Sequence, residues 1–469
     1  MELKKGLQGF AEPKRYRDTF RPVQYELPFE AGRVKKNIPC LRETHCSRGL
    51  RGAVPCQAPM LSPSVVADRG GHGMYTLSVM SEPRITELVR PEWATSIARV
   101  EQASWDALAQ SAKTPFLDWH WLHLLESSGS VSTENGWQPY HLTLWSGERL
   151  QAAAPMYIKS SSRGEFVFDQ IWAEVATRLG VRYYPKLLGM SPFTPTGSYS
   201  FLIDPAGDRA MLTSRLVREI ECLCLGHGLS GSHFLFTDPG WTGEMEGHGY
   251  TTWVHQGYEW VNQGYESFDD FLAEFRASQR RNIRRERRSL REAGISIRTL
   301  QGKDISAELM HTMYTLYVKH NEQFGPWSCK YLNREFFLGL LEQFQEHILL
   351  VVGERGGKVV GMSLLVFKGV RLYGRYWGCF EEVAFLHFEA CYYTPIEWAI
   401  RHGVTRFDPG VGGFHKTRRG FRAVPCFSLH RLFDPRMKMI MEAHMDEINA
   451  LETGHIQELN ELLPLSRGS

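Results

Sequence analysis

The sequence predicts an α/β protein built from two tandem modules, and three observations carry that prediction. The chain has 469 residues, of which 43% are hydrophobic and 23% charged, enough apolar material for more than one core. From Ile85 onward the apolar pattern alternates between helical and strand periods. The order of those patterns then recurs about 150 residues later, as in a duplicated unit.

In chain order, residues 1–80 stand apart. Basic residues outnumber acidic ones, Pro and Gly are scattered, and no periodicity persists. Such a segment predicts a disordered extension. Cys40, His45, Cys46 and Cys56 lack the paired spacing of a zinc site. Residues 93–112 read as an amphipathic helix and 116–127 as a second. Residues 141–145 and 151–159 alternate around Ser146-Gly147, a hairpin signal. Residues 211–227 form a helix ending at glycine, and 233–237 a strand. The second pass repeats this: 326–344 echoes 115–126 in an opening proline-aromatic pair and a closing Leu-Leu-Glu. A hairpin follows over 347–353 and 358–368 around Gly356-Gly357. Chance likeness among α/β segments is the competing explanation. The predicted boundaries are 81–265 and 296–435 for the modules, with an arginine-rich helix at 266–295 and a helical tail at 436–469, broken at Gly454, that packs or dimerises.

Composition narrows the setting. Net charge is +2, so any nucleic-acid contact must come from a local cluster. No apolar run nears the roughly 20 residues that span a bilayer. Nine cysteines with no secretory signal predict reduced thiols in a cytoplasmic setting.

Residues 386–421 concentrate chemistry. They read as an aromatic-rich helix, a stop at Gly403, a short strand ending at Phe407-Asp408, and a glycine-rich loop with His415, Lys416, Arg418 and Arg419. Helix, strand and polar loop in that order is where α/β proteins place ligands. His387 and Glu389 are candidate proton acceptors, but two positions apart on an ideal helix they point in different directions. The structural alternative places Glu389 at the helix dipole and His387 as a cap. Pro395 predicts a kink near Cys391. The glycine loop suits either phosphate binding or a solvated turn. The segment around 268–293 presents one apolar face and eight arginines, Arg276, Arg280, Arg281, Arg284, Arg285, Arg287, Arg288 and Arg291. These fit an RNA backbone or a merely solvated helix.

Six motifs carry a resemblance: GEFVFDQIWAEVATRLGVRYYPKL (164–187), SPFTPTG (191–197), YEWVNQGYESFDDFLAEF (258–275), RRNIRRERR (280–288), LHFEACYYTPIEWAIRHG (386–403) and FHKTRRGF (414–421). Together they resemble the FemAB-like N-acyltransferase family, related to the Fem-type peptidoglycan-bridge aminoacyltransferases. The resemblance covers about 85–435 and implies two tandem GNAT-like modules with mixed sheets. It also implies transfer of an acyl or aminoacyl group to an amine by direct attack. One departure is Phe414, which stands where the family has an acidic residue before His-Lys.

Such a transfer needs a neutral amine, donors for the developing oxyanion and a proton acceptor. Under this resemblance Glu389, His387, Asp408 and His415 are the catalytic candidates. Lys416, Arg418, Arg419, Arg281, Arg284, Arg285 and Arg288 are candidates for holding the donor. Asp169, Trp172, Tyr183, Tyr184, Lys186, Tyr392 and Tyr393 would shape the acceptor site, although the first-module set equally suits a module interface. Residues 376–385 lack the glycine loop that cradles acetyl-CoA, which favours aminoacyl-tRNA over acyl-CoA as donor. No tightly bound cofactor and no catalytic metal is expected, since His387, Glu389 and Cys391 match no ligand spacing. The rival from another class is a non-catalytic RNA- or cell-wall-binding protein that keeps the fold.

Overall fold

Strand pairing shows how two similar halves become one body. The computed structural model describes residues 89–466 apart from Phe168, Pro326 and Trp327. The expectations for residues 1–80, with their four metal-type side chains, lie outside the described residues. The first half supplies β1 (Arg90–Ala94), β2 (Trp137–Pro139), β3 (His141–Ser146), β4 (Arg149–Ala154), β5 (Met156–Lys159), β6 (Lys186–Gly189), β7 (Leu202–Ile203), β8 (Gly231–Thr237) and β9 (Thr251–Val261). The second supplies β10 (Ile295–Gln301), β11 (Ile348–Arg355), β12 (Lys358–Lys368), β13 (Arg371–Cys379), β14 (Arg406–Asp408) and β15 (Arg422–Leu432).

One sheet runs β1-β3-β4-β7, and a long one runs β10-β11-β12-β13-β14-β9-β15-β8-β6-β5-β2. Between β4 and β5 lies Pro155, where the chain leaves one sheet for the other, because proline has no N–H to continue a ladder. The named strands pair antiparallel except at two junctions, β6 with β8 and β13 with β14. The fold is thus mixed α/β with mixed sheets, and a parallel junction occurs once in each half. The halves also exchange strands. β9, from the first half, pairs with β14, and β15, from the second, pairs with β8. The two long strands pair with each other from Arg422↔Glu259 to His430↔Thr251.

The helices that echo each other in sequence meet in space. Trp119–Ser127 and Arg334–Gln343 pack with Trp121 edge-on to Phe336 at 5.3 Å. A Cβ on Gly339 would lie 2.5 Å from Leu124, so glycine permits the close approach.

Three expectations change. Residues 93–112 are not one helix: Trp93 pairs with Leu142 in β1, a single 3₁₀ turn follows at Ile97–Arg99, and α-helix begins only at Gln102–Ala109. Residues 268–293 divide into Phe268–Ala273 and Ala277–Glu292, because Phe275 bridges Leu465 and the Arg276 N–H donates to the Pro464 carbonyl at 2.9 Å. The tail helix Pro435–Glu461 runs unbroken through Gly454. Asn449 accepts from the Val254 N–H at 2.8 Å and Asn460 from the Ala423 N–H at 2.9 Å. These two anchors straddle the glycine and hold the helix on the sheet, outweighing glycine's cost of about 1 kcal/mol.

Candidate active site

The second parallel junction opens into the chemistry. β13 and β14 pair at Arg371↔Arg406, Leu372↔Phe407 and Tyr373↔Asp408, after which they part. β13 runs on to Cys379, whereas the other chain turns through Pro409 and Gly410. A Cβ on Gly374 would lie 3.3 Å from the Pro409 carbonyl, so glycine allows that exit to lie against the strand. Asp408 Oδ1 accepts the Gly410 N–H at 2.8 Å. Burial pushes its carboxyl up to about 6, against the lowering effects of that hydrogen bond and of Lys416. Asp408 is therefore ionised at neutral pH but takes a proton far more readily than a free aspartate, which suits a general base.

Above the junction the chain from Leu386–Phe388 enters a π-helical turn, Glu389–Tyr393, and resumes α-helix over Thr394–Arg401. Pro395 cannot donate a helical hydrogen bond, and the distortion sits where the sequence placed a kink. The Ala390 carbonyl accepts from Ser363 Oγ at 2.6 Å. The wide turn brings His387, Tyr392 and His415 together. The two imidazoles lie 5.7 Å apart, and Tyr392 Oη is 2.9 Å from His415 Nε2. Burial, then the cations Lys416 and Arg419, hold His415 down at about 4. Burial and the neighbouring His415 hold His387 well below its ordinary value. Both rings are neutral at pH 7.

Glu389 faces elsewhere. Arg287 Nε lies 3.1 Å from each of its oxygens and Thr394 Oγ1 donates to it at 2.9 Å. Arg287 also bonds Glu397 at 2.7 Å. Glu389 is buried in this ion pair, apart from the histidines, as their helical spacing requires. Lys416 and Arg419, expected to hold a donor, are buried. Lys416 Nζ donates to the Gly410 and Val411 carbonyls at 2.8 and 3.1 Å, and burial lowers it to about 8 despite Asp408. Arg419 donates to the His415 carbonyl at 2.9 Å and stacks 3.3 Å above the Phe388 ring. They brace the glycine loop from within. Arg418 is exposed beside the exposed Phe414 ring. Tyr393 is buried and donates to Glu286 at 2.5 Å.

The first-half set is also internal. Lys186 Nζ lies 2.7 Å from Glu165 and 2.5 Å from Asp169, and Tyr183 Oη donates to Asp169 at 2.9 Å. Lys186, Asp169, Trp172 and Tyr183 are buried. Burial opposes the Lys186 charge, but Glu165 and Asp169 outweigh it and raise its pKa. These contacts tie residues 165–186 to one another inside the first half. Tyr184 lines a surface groove of about 590 Å³, and Tyr183 borders a second of about 220 Å³. Among the described residues no three His, Cys, Asp or Glu side chains are placed to hold a metal ion, and no helix is long and apolar enough to cross a membrane.

The model of a family described as FemAB-like, peptidoglycan biosynthesis/recognition, matches residues 96–467. The chain belongs to the FemAB-like family. Among solved structures it is similar to FemX, at 11% identity and a TM-score of 0.48, over 75% of this chain and 100% of that one. It is similar to L-PGS from Bacillus licheniformis, at 9% and 0.44, over 74% and 97%. A tandem GNAT protein from the clavulanic acid biosynthesis pathway aligns at 12% and 0.39, over 73% and 98%. No curated protein matches the chain.

Within this FemAB-like chain the arginine helix Ala277–Glu292 divides its labour. Ile283, Glu286 and Leu290 are buried, Arg287 serves Glu389, and Arg284 bonds Asp269 at 2.9 Å. Arg281, Arg285 and Arg288 are exposed on one stripe and have no side-chain partner among the described residues. Sequence reasoning missed Arg375 on the open edge of β13. Its only signal was a cation within an otherwise strand-like run.

Proposed function

We propose that this FemAB-like chain is an N-acyltransferase that moves an acyl or aminoacyl group from an activated donor onto the amine of a peptidoglycan-related acceptor. The single observation that carries the reading is the parallel junction that opens at Tyr373 and Asp408, with a carboxyl poised near 6 at its mouth. Asp408 takes the proton as the amine attacks. The neutral His387 and His415, with Tyr392, orient the reactants through their ring N–H and O–H groups. Aminoacyl-tRNA is the favoured donor, because Arg281, Arg285 and Arg288 form an uncompensated ridge suited to phosphates. Glu389 is a positioning residue in this scheme: with Arg287 it fixes the π-helical turn that carries the histidines. The first half braces the junction through the Phe193 carbonyl, which accepts from Arg375 Nη2 at 2.7 Å.

The test is transfer of label from a radiolabelled aminoacyl-tRNA, and separately from an acyl-CoA, to amine acceptors by the full chain. Label on an amine with wild type, and its loss by about 10²-fold or more with Asp408→Asn, is expected. Binding of tRNA without transfer from any donor would instead favour the rival binding protein.

A further inference from the structure

Arg375 occupies an unusual position. Across β12, Leu364 pairs with Tyr376 and Leu365 with Gly374, so Arg375 is the extra residue of a β-bulge. Bulges re-aim a side chain out of the strand's alternation. Here the bulge lies beside the point where Gly374 packs on Pro409, next to the residue that follows Asp408. The guanidinium lies over two rings, 5.2 Å from the Phe116 centroid and 5.4 Å from that of Tyr376. Nη2 donates to the carbonyl of Phe193, a residue held at φ 57, and that ring stacks on Tyr331 at 4.9 Å. A carbonyl is neutral, so this hydrogen bond does not neutralise the positive charge. Among the described residues Arg375 has no carboxylate in ion-pair contact, and its buried Nε has no hydrogen-bonding partner.

A guanidinium tethered at Nη2 and with an unused N–H at Nε is a receptor for a planar oxyanion. Asp408, close enough to feel Arg375 electrostatically, argues against a phosphate, whose dianion it would repel. A zwitterion satisfies both ends: its carboxylate meets Arg375 and its amine meets Asp408. We propose that Arg375 is a specificity-determining residue that reads a carboxylate next to the accepting nitrogen, so that the acceptor is an amino-acid-type amine and not a simple alkylamine. This rests on the transferase reading of the junction and narrows its acceptor class.

The probe pair is meso-2,6-diaminopimelate and cadaverine, which share a five-carbon diamine spine and differ by the two carboxylates. Binding to the full chain is measured by calorimetry at pH 7.5 without a donor. Wild type should bind diaminopimelate at least about tenfold more tightly than cadaverine, the scale of one charge-assisted hydrogen bond. Arg375→Gln should erase the preference to within about twofold, while Arg375→Lys keeps part of it. Should Arg375→Gln fail to fold, the wild-type and Arg375→Lys comparisons still decide. Equal affinity for the two probes, no binding of diaminopimelate by wild type, or a preference retained in Arg375→Gln overturns the proposal. Transfer assays separate this from the broader reading. Labelling of cadaverine as readily as diaminopimelate would sink the specificity and leave the transferase standing. Arg375-dependent binding without transfer from any donor would do the reverse.

Discussion

Replacing Asp408 by Asn couples activity to stability in a way that few other substitutions would. The carboxyl stands near 6 in the folded protein against an ordinary 3.8, so the folded state holds its proton more tightly than the unfolded chain does. Its folded pKa is raised, and the stability it supplies is full below about 3.8 and is lost as pH rises through about 6. Two pH units at about 1.4 kcal/mol each put the cost of the ionised group at about 2–3 kcal/mol above pH 7. Asparagine keeps an oxygen to accept the Gly410 N–H and never ionises. Asp408→Asn should therefore be more stable than wild type by about 2–3 kcal/mol at pH 7.5, with the gap falling to about half at pH 5. Its transfer rate should drop by about 10²–10⁴-fold. Wild-type kcat/KM should rise about tenfold from pH 5 to its plateau, with a midpoint near 6. Urea melts at both pH values and initial rates across pH 5–8 measure all three quantities. A flat rate profile, or an asparagine variant that is less stable at pH 7.5 than at pH 5 relative to wild type, refutes the assignment of Asp408 as a strained base.

Arg287→Met should destabilise the fold by about 3 kcal/mol in urea, because it strands the Glu389 carboxylate in a buried site; adding Glu389→Gln should recover more than half of that loss, and no recovery would show that the pair is not coupled. Arg281→Gln, Arg285→Gln and Arg288→Gln combined should weaken tRNA binding and reduce the slope of log affinity against log salt by about 2–3, as read by filter binding at several salt concentrations; an unchanged slope would remove the ridge from the donor path. Gly374→Ala should lower kcat about tenfold by pressing on the Pro409 carbonyl 3.3 Å away; activity within twofold of wild type would show that the junction's width does not control the reaction.

Much of the site was legible where local rules decide. Gly403, with φ 68, ends a helix by a rule that needs no tertiary information, and the strand ending at Asp408 follows at once. Pro395 announced the distortion that became the π-helical turn. The arginines were visible as a cluster, but their roles were not. Arg287 meets Glu389 across 102 residues, and no local pattern distinguishes it from exposed Arg288. Asp169 and Lys186 read as acceptor-site candidates, because charge in sequence carries no sign of burial, and their partner Glu165 carried no signal of its own. Only packing showed that they neutralise one another.

The amino-acid order by itself determined the alternation of helix and strand, the doubled plan and the polar loop after Asp408, since periodicity, proline and glycine act over a few residues. The tertiary structure alone decided that β9 and β15 cross between the halves, that Arg375 leaves the strand's alternation at a bulge, and which charges are buried. Those outcomes depend on contacts between segments up to 260 residues apart in the chain, and on competition between desolvation and pairing, quantities that exist only once the chain has folded.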